Sequence, residues 1–263
     1  MSEFSIKPKY TLADVPLIVR RLRDPETGCP WDKVQTHESI RQDLLEETYE
    51  TAEAIDKGDT ENLKEELGDV LMQVALHSEI ESEKGSFDID DVADRLCKKL
   101  VLRHPHVFGD VVAEDPETVL RNWDAIKSVE KDQKTGSDAI ADVPSAYPAL
   151  MRSQKVQKRA ARTGFDYRDA EGAMSDLRSE VDELEQAIAG NGDPFEELGD
   201  LLFSAVNVAR FISADAELAL TRSCEKFITR FRRTEELAAE RGIDMKEADM
   251  TLLNELWAES KNE

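Results

Sequence analysis

The sequence predicts an all-α fold made of tandem duplicated helical modules, and two observations carry that prediction. Apolar residues recur at helical spacing almost throughout, whereas the strict alternation of strands is scarce. In addition, Glu65-Glu66-Leu67-Gly68-Asp69 returns unchanged as Glu196-Glu197-Leu198-Gly199-Asp200. An acidic pair at helical spacing precedes each copy, Glu47 with Glu50 and then Glu180 with Glu183. In a chain of 263 residues such a repeat favours two modules of ordinary domain size.

Thr36 to Asp56 reads as one helix, with Ile40, Leu44, Thr48, Ala52 and Ile55 along one side. Thr36 and Ser39 offer N-capping hydroxyls, and Gly58 supplies a stop. A second helix runs from Thr60 to Lys84 through Leu63, Leu67, Val70, Leu71, Val74 and Ile80, and Gly85 ends it. A third spans Ile89 to Leu102 and stops before Pro105. A fourth begins near Pro116, a favoured first-turn residue, and continues past Ile126. Gly136, Ser137, Pro144, Ser145 and Pro148 then dissolve the pattern, so 131–148 reads as a linker. It joins a first module over 1–130 to a second over 149–263. Helices resume with Met151 to Ala161, Gly172 to Ala189, Pro194 to Ile212, Ala214 to Arg241 and Lys246 to Ser260.

Composition excludes several classes. A hydrophobic content of 40% supports real cores and argues against wholesale disorder. The net charge of −23 repels a phosphate polymer, so no nucleic-acid partner is expected. A small phosphate ligand stays compatible if metal ions bridge it to the acids. Cys29, Cys97 and Cys224 form no CxxC pair, which supports neither a zinc site nor a disulfide framework and fits a reduced cytoplasm. The first ten residues lack a signal-peptide core, and no apolar run approaches the roughly 18 residues of a membrane span. A cytoplasmic protein is expected.

Residues three or four apart share a helix face, so Glu47 projects with Glu50, and Glu66 with Asp69. The turn at Gly58 makes their helices an antiparallel hairpin in which the pairs can meet. Glu180 and Glu183 face Glu197 and Asp200 in the same way, on a hairpin two residues shorter. Hard divalent cations prefer oxygen ligands, and Mg²⁺ usually takes a few carboxylates plus waters and substrate phosphates. A lone Glu-x-x-Glu pair is usually solvated surface; recurrence of the whole block favours a metal site. Gly68 and Gly199 sit inside helical patterns, where Gly costs ~1 kcal/mol relative to Ala, which points to close approach of a backbone or ligand. A di-iron bundle would need Glu-x-x-His, and none of His37, His77, His104 or His106 has that Glu. A phosphate-cradling GxxxxGK[ST] loop is absent.

Each module follows its acids with basic and aromatic residues in the same register. Lys99 with Arg103 is matched by Lys226 with Arg230, and Trp123 with Lys127 is matched by Trp257 with Lys261. In so acidic a chain these cations are candidates for phosphate oxygens, and the tryptophans for base stacking or core packing.

The order of acidic pair, Glu-x-x-Asp, Lys-x-x-x-Arg and Trp-x-x-x-Lys resembles the MazG family of nucleoside triphosphate pyrophosphohydrolases. The likeness extends to Arg21-Leu-Arg-Asp-Pro-Glu-Thr-Gly-Cys-Pro-Trp-Asp32, Leu45-Glu-Glu-Thr-Tyr-Glu50 and Arg103-His-Pro-His-Val-Phe108. In the second half it covers Gly164-Phe-Asp166, Glu197-Leu-Gly-Asp200 and Glu225-Lys-Phe-x-x-Arg230. The resemblance implies helical modules that complete bundles in a homodimer. It also implies Mg²⁺-dependent cleavage of NTP, and of dNTP, to the monophosphate and pyrophosphate, with Mn²⁺ as a substitute metal. The family's Glu-Glu-x-x-Glu is complete at Glu46, Glu47 and Glu50, whereas Ser179 replaces the first Glu of the second copy. The resemblance assigns metal binding to Glu47, Glu50, Glu66 and Asp69 and to Glu180, Glu183, Glu197 and Asp200. Glu47 and Glu180 become candidate proton acceptors. Lys226, Arg230, Trp257 and Lys261, with Lys99 and Arg103 in the first module, become candidate substrate contacts. The fuller acidic motif favours the first module as the working one, while the longer Lys-Arg helix tips the balance to the second. The rival from another class is a non-catalytic helical dimer that binds nucleotide or metal in a regulatory role.

Overall fold

The computed structural model describes residues 6–111, 115, 118, 119, 122, 123, 126, 130 and 135–261. The helix expected from Pro116 past Ile126 falls largely outside the described residues, and Lys127 lies outside them too. Among the described residues all regular structure is helical, with no strand. The chain forms two compact units, Met1–Ile126 and Lys127–Glu263. No helix among the described residues is long and apolar enough to cross a membrane. The three cysteines are free thiols.

In the first unit α1 (Val15–Leu22), α2 (Arg41–Lys57), α3 (Thr60–Glu83), α4 (Ile89–Arg103) and α5 (Pro105–Phe108) follow in order. Gly58 closes α2 in the left-handed region at φ 67°, where a side chain would be strained. Asp59 immediately caps α3 by accepting from the Asn62 amide, so the two helices form a tight hairpin. Val19 of α1, Ile40, and Ala75, Leu76 and Ile80 of α3 make the core beneath it. Arg20 pairs with Glu79 at 2.9 Å, and the buried Arg23 pairs with Glu83 at 2.7 Å while donating to the Asp32 carbonyl. These bonds fasten α1 and the following loop to α3.

The second unit contains α6 (Gly136–Ala141), α7 (Ala149–Ala161), α8 (Ala170–Ile188), α9 (Pro194–Phe211), α10 (Ala216–Glu240) and α11 (Met250–Glu259). Asp169, Asp193, Asp215 and Asp249 each accept a first-turn amide at the head of α8, α9, α10 and α11. Each such cap is worth about 1 kcal/mol, so part of the acidic composition serves helix starts. Helices α8 and α9 form the second hairpin, on which α7 packs, while Leu237, Ala238 and Leu256 join α10 to α11.

Several boundaries differ from the sequence pattern. Helix α2 begins at Arg41, five residues later than Thr36, because Thr36 and Ser39 exchange side-chain-to-amide bonds of 2.9 and 3.3 Å in a turn of their own. The stretch taken as irregular holds α6, which Thr135 and Asp138 start with a capping box. A Cβ at Gly136 would collide with the Thr163 side chain, so this glycine permits close packing. Helix α1 was not expected, and Pro105 opens α5 as its first residue.

Candidate functional site

The α2–α3 hairpin sets acids opposite acids. One carboxylate oxygen from each of Glu47, Glu66 and Asp69 lies within 4.8 Å of the others. Glu50 joins them through a hydrogen bond shared with Glu66. The α8–α9 hairpin does the same with Glu180, Glu183 and Glu197, again within 4.8 Å, and Asp200 is near enough to repel Glu180 and Glu197. The structure therefore places all eight expected acids in two groups of four, with a different trio drawn closest in each.

Burial, and then the neighbouring negative charges, hold Glu47, Glu66, Glu180 and Glu197 above the ordinary glutamate range. Crowded carboxylates repel one another unless a proton or a cation enters between them. Three convergent carboxylate oxygens on helices fit a hard divalent cation.

Two further acids escaped the sequence reading. Asp43 presses on Glu47, and Asp176 presses on Glu180, each from one helical turn upstream. The signal was present, since Asp-Leu-x-x-Glu-x-x-Glu occurs from Asp43 and again from Asp176. Asp176 is braced by the Ser204 hydroxyl and by Tyr167, both of which donate to it. Burial and that hydrogen bond push the Tyr167 phenol up to about 12, so it stays a donor.

No ion pair joins Lys99, Lys226, Arg230 or Lys261 to the acids of either carboxylate group among the described residues, and Lys99, Lys226 and Lys261 are exposed. The Arg103 guanidinium lies 5.1 Å above the Trp123 ring. Trp257 is half-buried, its ring 5.1 Å from that of Phe227. A Cβ at Gly68 or Gly199 would meet nothing within 4 Å among the described residues, so of the two expected partners, a backbone or a ligand, no described backbone outside their own helices fills that role.

Comparison with known proteins bears on these groups. The MazG nucleotide pyrophosphohydrolase domain matches residues 35–108 and 168–234, two segments that contain the two carboxylate groups. Trp257 and Lys261 lie beyond the second segment. The chain is 44% identical over 250 residues to the nucleoside triphosphate pyrophosphohydrolase of Escherichia coli strain K12, spanning 94% of this chain and 95% of that protein. It is 43% identical over 247 residues to the nucleoside triphosphate pyrophosphohydrolase/pyrophosphatase MazG of Thermotoga maritima, spanning 93% of each. An uncharacterized Bacillus subtilis protein, YabN, is 44% identical over 249 residues, spanning 93% of this chain and 50% of that protein.

Proposed function

The chain belongs to the MazG family of nucleotide pyrophosphohydrolases and is an enzyme of that class; from this premise we propose that it hydrolyses NTP and dNTP to monophosphate and pyrophosphate with Mg²⁺ at its carboxylate groups. The observation that carries the metal dependence is the duplicated convergence of carboxylate oxygens across each hairpin. Glu180, Glu183, Glu197 and Asp200 would hold the ion in the second module, and Glu47, Glu50, Glu66 and Asp69 in the first. When bound there, Mg²⁺ supplies neutralisation of triphosphate charge and acidifies a water. Glu180 and Glu47 are the proton acceptors, because each lies within its carboxylate group, beside the place where the ion would hold a water.

Lys226, Arg230, Trp257 and Lys261 contact substrate in the second module, and Lys99 and Arg103 do so in the first. Their helices supply a reason to expect a second copy of the chain. Every residue from Ala219 to Thr229 in α10 is exposed, including Leu220, Phe227 and Ile228. In α4, Leu96, Leu100, Val101 and Leu102 are exposed as well. Helices with apolar residues left in solvent gain stability by packing against a partner, so a homodimer completes each bundle. The second module is favoured as the working one, because its Lys-Arg helix is the longer and Tyr167 and Ser204 hold the acid next to Glu180 in place.

The reaction is tested by incubating the chain with mixed NTPs, with and without Mg²⁺, and separating the products. Metal-dependent monophosphate and pyrophosphate are expected. Diphosphate with orthophosphate would identify a different hydrolysis, and binding without turnover would favour the regulatory dimer.

A further inference from the structure

The run 143–165 is the longest stretch of the chain without an acidic residue, and it carries five cations, Arg152, Lys155, Lys158, Arg159 and Arg162. In a chain of net charge −23 it is an electropositive island. Its centre folds as α7. Two glutamines fix how that helix is turned. Gln154 donates from Nε2 to the Ala214 carbonyl at 2.8 Å and accepts at Oε1 from the Ala216 amide at 3.2 Å. Gln157, 4% exposed, donates to the Phe203 carbonyl at 2.7 Å. These amides hold one face of α7 against α9 and the head of α10. Arg152, Lys155 and Lys158, each three residues from the next, share the remaining face and are exposed.

The other two cations of the run are turned to partners. Arg159 donates to the Ala139 carbonyl and pairs with Asp142 at 3.4 Å, and Arg162 is engaged as well. Arg152 and Lys158 have no ion pair among the described residues, and Lys155 lies over the Tyr147 ring at 5.3 Å. Successive cations of this row are about 4.5 Å apart along the helix axis. That is well inside the Debye length of about 8 Å at physiological salt, so the three act as one patch. Like charges this close repel one another, and with no acid beside them their field is directed at anions in solution.

The inner side of the same helix borders the second carboxylate group. Val156, Gln157 and Ala160 of α7 line a cavity of about 600 Å³ whose wall also includes Glu180 and Asp200. One short helix therefore walls the space beside those acids and carries the unpaired cations outside it. A nucleoside triphosphate bears several negative charges and is repelled by most of so acidic a surface. Near α7 that repulsion is reversed.

We propose that the outer face of α7 is an electrostatic guide for the second module. Arg152, Lys155 and Lys158 draw the anionic nucleotide to the side of the unit where Glu180 and Asp200 lie. They act on the approach and touch no reacting atom, so their effect falls on association, and hence on KM, with kcat left alone. The attraction grows with ligand charge, so a triphosphate is favoured over the monophosphate product. This assignment rests on the pyrophosphohydrolase reading and deepens it.

The test compares the unaltered full chain with two triple variants of equal net charge. One is Arg152→Gln, Lys155→Gln and Lys158→Gln together; the control is Lys9→Gln, Lys98→Gln and Lys246→Gln, at exposed positions elsewhere. Gln keeps the helix propensity of the cations it replaces, and matching circular dichroism checks the fold. At low salt the α7 variant raises KM for NTP about tenfold with kcat unchanged, while the control stays within about twofold. Near 1 M salt, where the Debye length is about 3 Å, the α7 variant and the unaltered chain converge. An unchanged KM, an equal rise in the control, a loss of kcat, or an offset that survives high salt would each overturn the guide. If the unaltered chain releases no pyrophosphate, the reaction reading itself fails. Stopped-flow association of an ATP analogue with a fluorescent ribose label then decides the guide separately: slower association in the α7 variant alone supports it, and equal rates overturn it.

Discussion

Glu81 shows how one carboxylate among 57 acidic residues acquires a structural role. It accepts from Lys84 at 2.6 Å and from His37 at 2.7 Å, which ties the loop before α2 to the end of α3. Lys84, then His37 and Ser86, lower its carboxyl from 4.5 to about 2. The unfolded chain therefore takes up this proton at a higher pH than the folded chain. Its stabilising contribution is complete above 4.5 and is lost as pH falls toward about 2. Glu81→Gln should remove that part of the acid sensitivity. Denaturant midpoints of the two proteins, compared from neutral pH downward, should differ above 4.5 and converge below it; a constant offset would contradict the assignment. The clustered Glu47, Glu66, Glu180 and Glu197 have the opposite sign, since their raised values oppose folding as they ionise.

At the scale of elements, the exposed apolar positions of α4 and α10 carry a prediction of their own. Sedimentation should give twice the chain mass, and Ile228→Glu, which places a charge among the exposed apolar residues of α10, should shift the equilibrium toward single chains. A monomeric unaltered chain at micromolar concentration would contradict the proposed dimer. The long helices were legible in the sequence because their signals are local: an apolar stripe and a Gly stop. Gly58 marks the turn of the α2–α3 hairpin in this way, whereas the Asp59 and Asp193 caps emerge only in the structure. Shorter helices were not legible. Helix α1 depends on Val19 reaching Ile40 and Leu76, and α6 depends on Gly136 lying against Thr163, contacts that no local pattern announces.

For the whole molecule, duplication made the acids readable, since a pattern written twice stands out from a surface already crowded with carboxylates. The cavity beside the second group had no such signal. Its wall draws on residues from Ile140 to Arg210, brought together only by packing of α6, α7, α8 and α9. Each unit thus combines a locally encoded acidic hairpin with surroundings that only the tertiary fold supplies. In the proposed reaction the carboxylate groups hold the metal that makes triphosphate cleavage work. Pyrophosphate release from NTP by the unaltered chain, Glu183→Ala and Glu50→Ala, each in Mg²⁺ and in chelator, tests it most directly. Metal-dependent release is expected, which Glu183→Ala lowers by roughly a hundredfold or more and Glu50→Ala lowers far less. Release that persists in chelator, or full activity in both variants, would contradict it.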